Sequence, residues 1–254
     1  MTYLYCLVRA GRKPALRLVR DGLPGAGPVR ALDAGDGLWL VVADVDEREY
    51  GEAAIARGLG DLDWVSRRAV GHEAVVERFL SAAAVLPMQL FTIFKTDERA
   101  LEHVRADRGR IERILERTAG HVEWGLRLTW DEQAARAAVE RAHEARSAHE
   151  SGGVAYLARK RDMLDVSRTK LASARAEATR AFTDLSRRAR DAVRRTSTEQ
   201  AAPGSRLLLD AAFLVPAKHV TAFKSAVRQA EKRLRPEGIS ALLTGPWPPY
   251  NFIR

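Results

Sequence analysis

Cysteine is almost absent from this chain of 254 residues, in which Cys6 is the single example. One thiol cannot form an intrachain disulfide or supply a thiolate cluster for a metal. Long hydrophobic runs are missing too, since no stretch approaches the roughly 20 apolar residues that cross a bilayer. The first nine residues carry neither a basic start nor a small-residue cleavage site. These absences predict a cytoplasmic protein with no disulfide and no membrane partner.

The motifs of common enzyme classes are also missing. The sequence has no Gly-x-Gly-x-x-Gly, no phosphate-binding Gly-x-x-x-x-Gly-Lys-[Ser/Thr] and no Gly-x-Ser-x-Gly. His72 and Glu73 lack the second histidine that a zinc helix carries four residues later, and His143 and His149 fall on different sides of a helix. We therefore expect no enzyme: no catalytic residue, no cofactor, no metal site and no small-molecule substrate.

Basic residues outnumber acidic ones. Lysine and arginine total 42 against 33 acidic residues, a formal net charge of +9. Hydrophobic residues make up 46% of the chain, enough for real cores, and the length favours two domains. The excess charge indicates an anionic partner, such as nucleic acid, a membrane surface or an acidic protein, without selecting one.

The first half of the chain mixes strand and helix patterns. Strands are predicted at 3–8, 29–34, 38–45, 87–94 and 121–130, with a hairpin turn at 35–37. Helical periodicity runs from Asp61 to before Pro87, and again from Asp97, a plausible cap, to Gly120. The order βββαβαβ predicts an α+β fold, with an N-terminal α+β domain at 1–119.

The second half, 120–254, contains a long helical region at about 131–195 between strands. Ser151, Gly152 and Gly153 break it into arms at 131–150 and 154–195, which predicts a helical hairpin. The second arm carries apolar residues at a spacing of seven: Leu157, Leu164, Leu171, Ala178, Leu185 and Ala192. A strand at 207–215, a helix at 218–234 and a strand at 239–243 follow. This order predicts a modified ferredoxin-like fold with a long helical crossover.

Positive charge concentrates on this second arm. Residues 159–195 hold twelve basic and five acidic residues, a net +7. A solvated helix face explains such a run, and so does a basic rod that meets an acidic protein or phosphates. A nucleic-acid-binding module using 159–195 is therefore the alternative function, although no strand carries an RNP1-like pattern and nucleic acid stays the weaker reading.

The C-terminal segment is apolar and rich in proline. Prolines at 246, 248 and 249 fix three φ angles and remove three donors, so a strand arriving there is expected to stop pairing near Gly245. Trp247, Tyr250 and Phe252 follow within a few residues, and such side chains need burial. They either latch the protein's own core or dock on a hydrophobic partner.

Several motifs resemble the gas vesicle F/L proteins (GvpF/GvpL). They are Tyr-Leu-Tyr-Cys-Leu-Val at 3–8, Ala-Val-Gly-His-Glu-Ala-Val-Val at 69–76, Val-Leu-Pro-Met at 85–88, Glu-Trp-Gly-Leu-Arg at 123–127, Gly-Val-Ala-Tyr-Leu-Ala-Arg-Lys-Arg at 153–161 and Thr-Gly-Pro-Trp-Pro-Pro-Tyr-Asn-Phe at 244–252. Together they cover nearly the whole chain in order. One departure is that the family tends to read Arg-Phe-Gly-Thr after Val-Leu-Pro-Met, whereas this chain reads Gln89-Leu90-Phe91-Thr92.

The resemblance implies a non-enzymatic accessory or minor structural protein of the gas vesicle. Its expected partners are the hydrophobic gas vesicle wall protein and other accessory proteins, and its expected location is the cytoplasm, associated with the vesicle. Apolar contact would come from the tail and charge from the basic helix. The candidate partner-binding residues are Trp247, Tyr250, Phe252, Arg159, Lys160 and Arg161. An enzyme is the remaining alternative, and it predicts a pocket with titratable groups of shifted pKa.

Overall fold

A computed structural model describes residues 1–16, 22–133, 137, 153–196 and 203–253; between 153 and 167 only the side chain of Val166 is included. The chain divides into two compact units. Unit 1 comprises Met1–Glu123 with Pro246–Arg254, and unit 2 comprises Trp124–Gly245. The division expected from the sequence, at 119/120, kept the tail with the second domain, whereas the tail folds as part of unit 1.

Unit 1 is built on an antiparallel sheet with five strands among the described residues. They are β1 Thr2–Arg9, β2 Arg30–Asp33, β3 Leu38–Asp44, β4 Ala84–Pro87 and β5 Ile93–Phe94. β1 lies in the middle, since it pairs with β3 on one side and with β4 and β5 on the other. The predicted hairpin at 35–37 is confirmed, because β2 pairs with β3 across it.

Helices cover both faces of this sheet. They are α1 Glu47–Tyr50, α2 Glu52–Gly58, α3 Leu62–Val76, α4 Asp97–Ala106 and α5 Arg108–Thr118. Val75 and Val76 of α3 pack with one face, and Val104 of α4 and Ile114 of α5 pack with the other. A sheet covered on both faces explains why β1 is buried from Thr2 to Val8.

A β-bulge in β1 decides which side chains face α3. The register slips between Leu4 and Cys6, so Tyr5 has no partner opposite it on β3. Tyr5 and Cys6 therefore lie on the same face as Tyr3, against α3, while Leu4 and Leu7 face the other core. The bulge brings two tyrosines and a cysteine into one layer, which strict alternation would not do.

Two predictions about α4 and α5 are wrong. Thr96 rather than Asp97 caps α4, because the Thr96 hydroxyl accepts a hydrogen bond from the Arg99 amide at 3.4 Å. Asp97 instead forms an ion pair with Arg30 at 2.6 Å, and this lowers the pKa of its carboxyl. The single helix expected after residue 97 is two helices, because the backbone leaves helical geometry at Asp107.

The strand predicted at 87–94 is also wrong, because a turn interrupts it. The Thr92 amide donates to the Gln89 carbonyl at 3.2 Å, and Phe91 inside the turn has a φ of 67°. A positive φ at this third turn position normally selects glycine, because a Cβ costs roughly 1–2 kcal/mol there. Phe91 is held by stacking on Trp64 at 5.5 Å and by donating its amide to the Tyr3 hydroxyl.

Unit 2 carries a second antiparallel sheet. Its elements are β6 His121–Asp131, α6 Gly153–Ser186, β7 Asp191–Arg194, β8 Ser205–Pro216, α7 Val220–Leu234 and β9 Ile239–Trp247. The strand order is β7-β8-β6-β9. Among the described residues the elements follow β-α-β-β-α-β, the order of the ferredoxin-like motif. Phe213 lies in the core between Phe182 and Phe223.

The long helix is shorter than predicted. α6 ends at Ser186, and the last part of the predicted helix forms β7, which pairs along its length with β8. Strand pairing overrides the helical preference of this segment. Ala178 and Leu185 of the predicted core line are buried, whereas Ala192 lies in β7 opposite Phe213. Leu157 and Leu164 lie outside the described side chains, as does most of the arm at 131–150.

The final strand continues past the predicted stop at Gly245. β9 includes Pro246 and ends at Trp247. β9 lies at the edge of the sheet, which is the position where a strand tolerates proline.

A buried ion cluster explains the glycine at the centre of Glu-Trp-Gly-Leu-Arg. Asp210 is buried and accepts from Arg195 at 2.5 and 2.7 Å and from Arg127 at 3.3 Å. A Cβ on Gly125 would lie 2.7 Å from the Thr244 hydroxyl and 3.2 Å from the Arg195 guanidinium. A side chain at position 125 would therefore displace the Thr244 hydroxyl and crowd the Arg195 guanidinium that binds Asp210.

The turn at Phe91 makes a direct prediction. Phe91→Ala and Phe91→Gly both remove the contact with Trp64, but only glycine relieves the positive φ. We expect the glycine variant to be more stable to urea than the alanine variant by about 1 kcal/mol. The same pair at Leu90, whose φ is negative, should show the opposite order. Equal stability of the two variants at 91 would contradict a strained turn.

Candidate functional site

The tail is fastened to unit 1 by hydrogen bonds to two glutamates. The Tyr250 hydroxyl donates to Glu73 Oε2 on α3. The backbone amide of Asn251 donates to Glu123 Oε2 at 2.9 Å, and its side-chain amide donates to Glu123 Oε1 at 2.5 Å. Glu123 is only 2% exposed, so both of its carboxylate oxygens are satisfied by one tail residue.

Two further contacts complete the attachment. The Arg117 guanidinium at the end of α5 donates to the Phe252 carbonyl. The Phe252 side chain is buried, and Ile253 packs against the core on the α4 and α5 side of the sheet. The tail thus closes unit 1 across more than a hundred residues of sequence. Of the two alternatives for the tail, the latch is the one that these contacts form.

The predicted site residues have different environments. Phe252 is buried and Tyr250 is hydrogen-bonded to Glu73, so both side chains make contacts within unit 1. Trp247 is half-buried and retains surface that a partner could contact. The side chains of Arg159, Lys160 and Arg161 lie outside the described residues.

A cleft of about 670 Å³ opens in unit 1 beside the tail. Its wall is formed by β4, the strained turn after it, α3, α4, α5 and the tail residues Tyr250 and Ile253. Most of the lining is aliphatic: Leu86, Met88, Leu90, Ile111, Ile114 and Ile253. His72 and Glu73, which are consecutive on α3, are the polar groups on its α3 side.

The titratable groups of the cleft have shifted pKa values. Burial lowers the pKa of His72 to about 4, partly offset by the Met88 backbone, so the ring is neutral at pH 7. Burial raises the pKa of Glu73, and the nearby Glu77 and Glu123 carboxylates add to the rise while the Tyr250 hydroxyl opposes it. Burial, followed by the bond to Glu73, raises the pKa of Tyr250. Cys6 is fully buried and its pKa is raised, as expected of an unreactive thiol.

The described part of the basic helix carries charge that is partly neutralised. Lys170, Arg175 and Arg188 are exposed. Arg180 pairs with Glu177, and Arg187 lies 3.7 Å from Asp184. Beyond the helix, Arg194 lies over the Phe182 ring and Arg195 binds Asp210. The exposed charge is therefore smaller than the sequence count suggests.

The residues that anchor the tail were not identified from the sequence. Glu73, Glu123, Asn251 and Arg117 are ordinary polar residues in isolation. Glu123 did carry a signal, because it sits in a strand pattern that is otherwise buried and a carboxylate there needs a partner. The partner's identity depends on a contact 128 residues away.

Within the described ranges, no group of acidic, histidine or cysteine side chains could hold a metal ion. No helix in those ranges is both long and apolar enough to span a bilayer.

Fold and site together define the class: an α+β protein of two sheet-based units, whose C-terminal tail is part of the first and borders an aliphatic cleft. The family model described as gas vesicle synthesis protein GvpL/GvpF matches residues 1–254. The chain belongs to this gas vesicle protein family.

Individual relatives agree with the family match. The chain is 31% identical over 257 residues to gas vesicle protein L of Streptomyces sp. (strain CB03234), covering 99% of this chain and 92% of the relative. It is 28% identical over 270 residues to gas vesicle protein L2 of Halobacterium salinarum (strain ATCC 700922 / JCM 11081 / NRC-1), covering 98% and 90%.

Solved structures support the fold. The crystal structure of the gas vesicle protein GvpF from Anabaena sp. PCC7120 aligns with a TM-score of 0.70 at 16% identity, covering 100% of this chain and 95% of that one. GvpF from Microcystis aeruginosa aligns at 0.67 and 15%, covering 100% and 98%. At these identities the likeness concerns the fold, and it agrees with the predicted α+β class.

The raised pKa of Glu73 makes stability depend on pH. The folded protein holds a proton that the unfolded chain releases above about pH 4.5, so this group's contribution falls as pH rises through its folded-state pKa. Glu73→Gln keeps an oxygen for Tyr250 and stays neutral. We expect it to raise the unfolding temperature at pH 7 by a few degrees, with the gain shrinking as pH falls toward 4.5.

Glu116→Gln is the matched control for this experiment, because it removes one negative charge from an exposed position on α5 that is not among the charges shifting the pKa of Glu73. Thermal unfolding of the three proteins from pH 4 to 8 provides the comparison. A gain for Glu73→Gln that stays constant over this range would exclude titration of Glu73 as the cause.

The bond between Asn251 and Glu123 makes a second prediction. Asn251→Asp preserves shape, removes one donor and sets a carboxylate against a buried carboxylate. We expect it to lower the free energy of unfolding at pH 7 by about 3 kcal/mol, and Asn251→Ala by about 2 kcal/mol. Urea titration measures both. If the aspartate variant is no less stable than the alanine variant, Glu123 does not carry a negative charge beside residue 251.

Proposed function

We propose that this protein is a non-enzymatic accessory or minor structural component of the gas vesicle that binds the hydrophobic wall protein and other accessory proteins during assembly. It would act in the cytoplasm, associated with the vesicle. The observation that carries the proposal is the family match over residues 1–254, joined to a tail whose Trp247 stays partly exposed. The relatives named gas vesicle protein L support the vesicle role.

Trp247 is the best candidate for apolar contact with the wall protein. Tyr250 and Phe252 are occupied by unit 1, so Trp247 is the aromatic of the three that keeps the most freedom to bind. Leu242, earlier in the same strand, is 57% exposed. Tryptophan and tyrosine are among the residues that contribute most of the binding free energy at protein interfaces.

The positive charge of α6 also suits a protein with an apolar partner. A protein that binds a very apolar subunit needs a charged body to keep the complex dissolved. Lys170 and Arg175 provide exposed charge in the described part of α6, and Arg188 adds to it just after the helix ends at Ser186. The ion pairs of Arg180 and Arg187 reduce its attraction for phosphates, so they do not favour the nucleic-acid alternative.

The shifted groups of the cleft have structural explanations that fit a non-enzymatic role. His72 is neutral because burial lowers its pKa; its Nδ1 lies 2.7 Å from the Tyr3 hydroxyl, and Glu73 accepts from Tyr250. Neither shift requires a catalytic function. The tail contacts also affect the design of a binding test, because removing residues after 245 would strip both glutamates of their donors and destabilise unit 1.

Point substitution at Trp247 is therefore the appropriate test. We expect Trp247→Glu to reduce co-purification of the wall protein at least tenfold and Trp247→Phe to retain most of it. Leu59→Glu is the control, because it adds the same charge at another apolar residue that is 59% exposed. Circular dichroism checks folding of each variant. Equal loss in the control, or full retention by Trp247→Glu, would remove Trp247 from the interface.

A further inference from the structure

The cleft of unit 1 holds two buried polar atoms that lack partners. His72 is 4% exposed, and its Nε2 makes no hydrogen bond within the described residues. The same is true of Glu73 Oε1, while Glu73 Oε2 accepts from Tyr250. Buried polar atoms without partners are costly, and their position on a cleft wall indicates a ligand that would satisfy them.

The surrounding hydrogen bonds indicate whether each of these atoms is a donor or an acceptor. The Tyr3 hydroxyl accepts from the Phe91 amide at 3.3 Å and lies 2.7 Å from His72 Nδ1, and we assign its proton to Nδ1, the arrangement in which the hydroxyl both accepts and donates. Because the ring is neutral, its one proton is then on Nε2. The cleft therefore presents a donor at His72 Nε2 and an acceptor at Glu73 Oε1.

The rest of the lining argues against a charged ligand. Arg110 is paired with Asp107 at 3.2 Å, so the basic group at the cleft does not offer a free charge to an anion. The walls are mainly aliphatic, with Met88 as an adaptable side chain. The volume falls within the roughly 300–1,000 Å³ of ordinary ligand sites.

We propose that this cleft binds a short apolar peptide segment of a partner protein, with the backbone of one residue facing His72 and Glu73. That residue's carbonyl accepts from His72 Nε2, its N–H donates to Glu73 Oε1, and its side chain packs on the aliphatic wall. In an extended segment the N–H and C=O of one residue point to the same side, which matches a donor and an acceptor on one wall, and the wall selects apolar side chains. The strained turn of Gln89 to Thr92 forms part of the wall and holds Leu90 toward it.

The probe for this site is N-acetyl-leucine N-methylamide, and the readout is the methyl NMR signal of Met88. The chain has three methionines, and Met88→Leu assigns the signal. Met1 packs on the other face of the sheet and serves as an internal reference. We expect a saturable shift of Met88 with a dissociation constant on the order of 1 mM, as suits a ligand of this size.

Two matched comparisons test the geometry. Ala69→Phe fills the cleft from α3 and should weaken binding at least tenfold, whereas Val70→Phe, at an exposed neighbour that does not line the cleft, should not. 2-Acetoxy-4-methylpentanoic acid N-methylamide is an ester analogue in which oxygen replaces the leucine N–H, so it lacks the donor for Glu73 and should bind at least fivefold more weakly. Unchanged thermal unfolding of both phenylalanine variants shows that they fold.

Several results would overturn the proposal. The first is no saturable shift of Met88, which would mean that the cleft holds only water. The second is equal binding by Ala69→Phe, and the third is equal binding of the ester, which would show that the polar pair does not recognise an amide. A Met88 signal that moves with protein concentration alone would assign the cleft to a second copy of the chain.

Discussion

Two glutamates in the interior of unit 1 impose the constraint on which the rest of that unit depends. A buried carboxylate is costly unless donors reach it, and the donors to Glu73 and Glu123 come from Tyr250 and Asn251 at the far end of the chain. The last residues are therefore part of the first unit. Tyr250 and Ile253 line the cleft, so the shape of the cleft depends on this attachment.

The tail contacts distinguish the aromatic residues that stabilise the protein's own fold from the one that is left to contact a partner. Residues 250–253 stabilise the protein's own fold, so their apolar character does not by itself indicate a partner. Trp247 lies between the edge strand and these anchors, where it is held in place yet stays partly exposed. A half-exposed aromatic side chain loses little conformational entropy on binding, which suits the contact proposed for Trp247.

The turn after β4 departs from the family motif and also forms part of the cleft wall. The motif resemblance sets the glycine of Arg-Phe-Gly-Thr opposite Phe91 of this chain, and the structure places a positive φ there. The strain is balanced by the Trp64 ring and by the Tyr3 hydroxyl, which also orients His72. Tyr3 thus connects β1, the turn at Phe91 and the His72 side of the cleft.

By itself the sequence determined the α+β class, the hairpin at 35–37, the burial of β1 and the apolar face of the long helix, because these depend on patterns within a few residues. It also carried the family motifs. Only the tertiary structure decided the end of α6 at Ser186, the bulge at Tyr5 and the tail contacts with Glu73 and Glu123. Each of these depends on partners far apart in the chain, whose pairing energy outweighs local preference and leaves no periodic signal in the sequence.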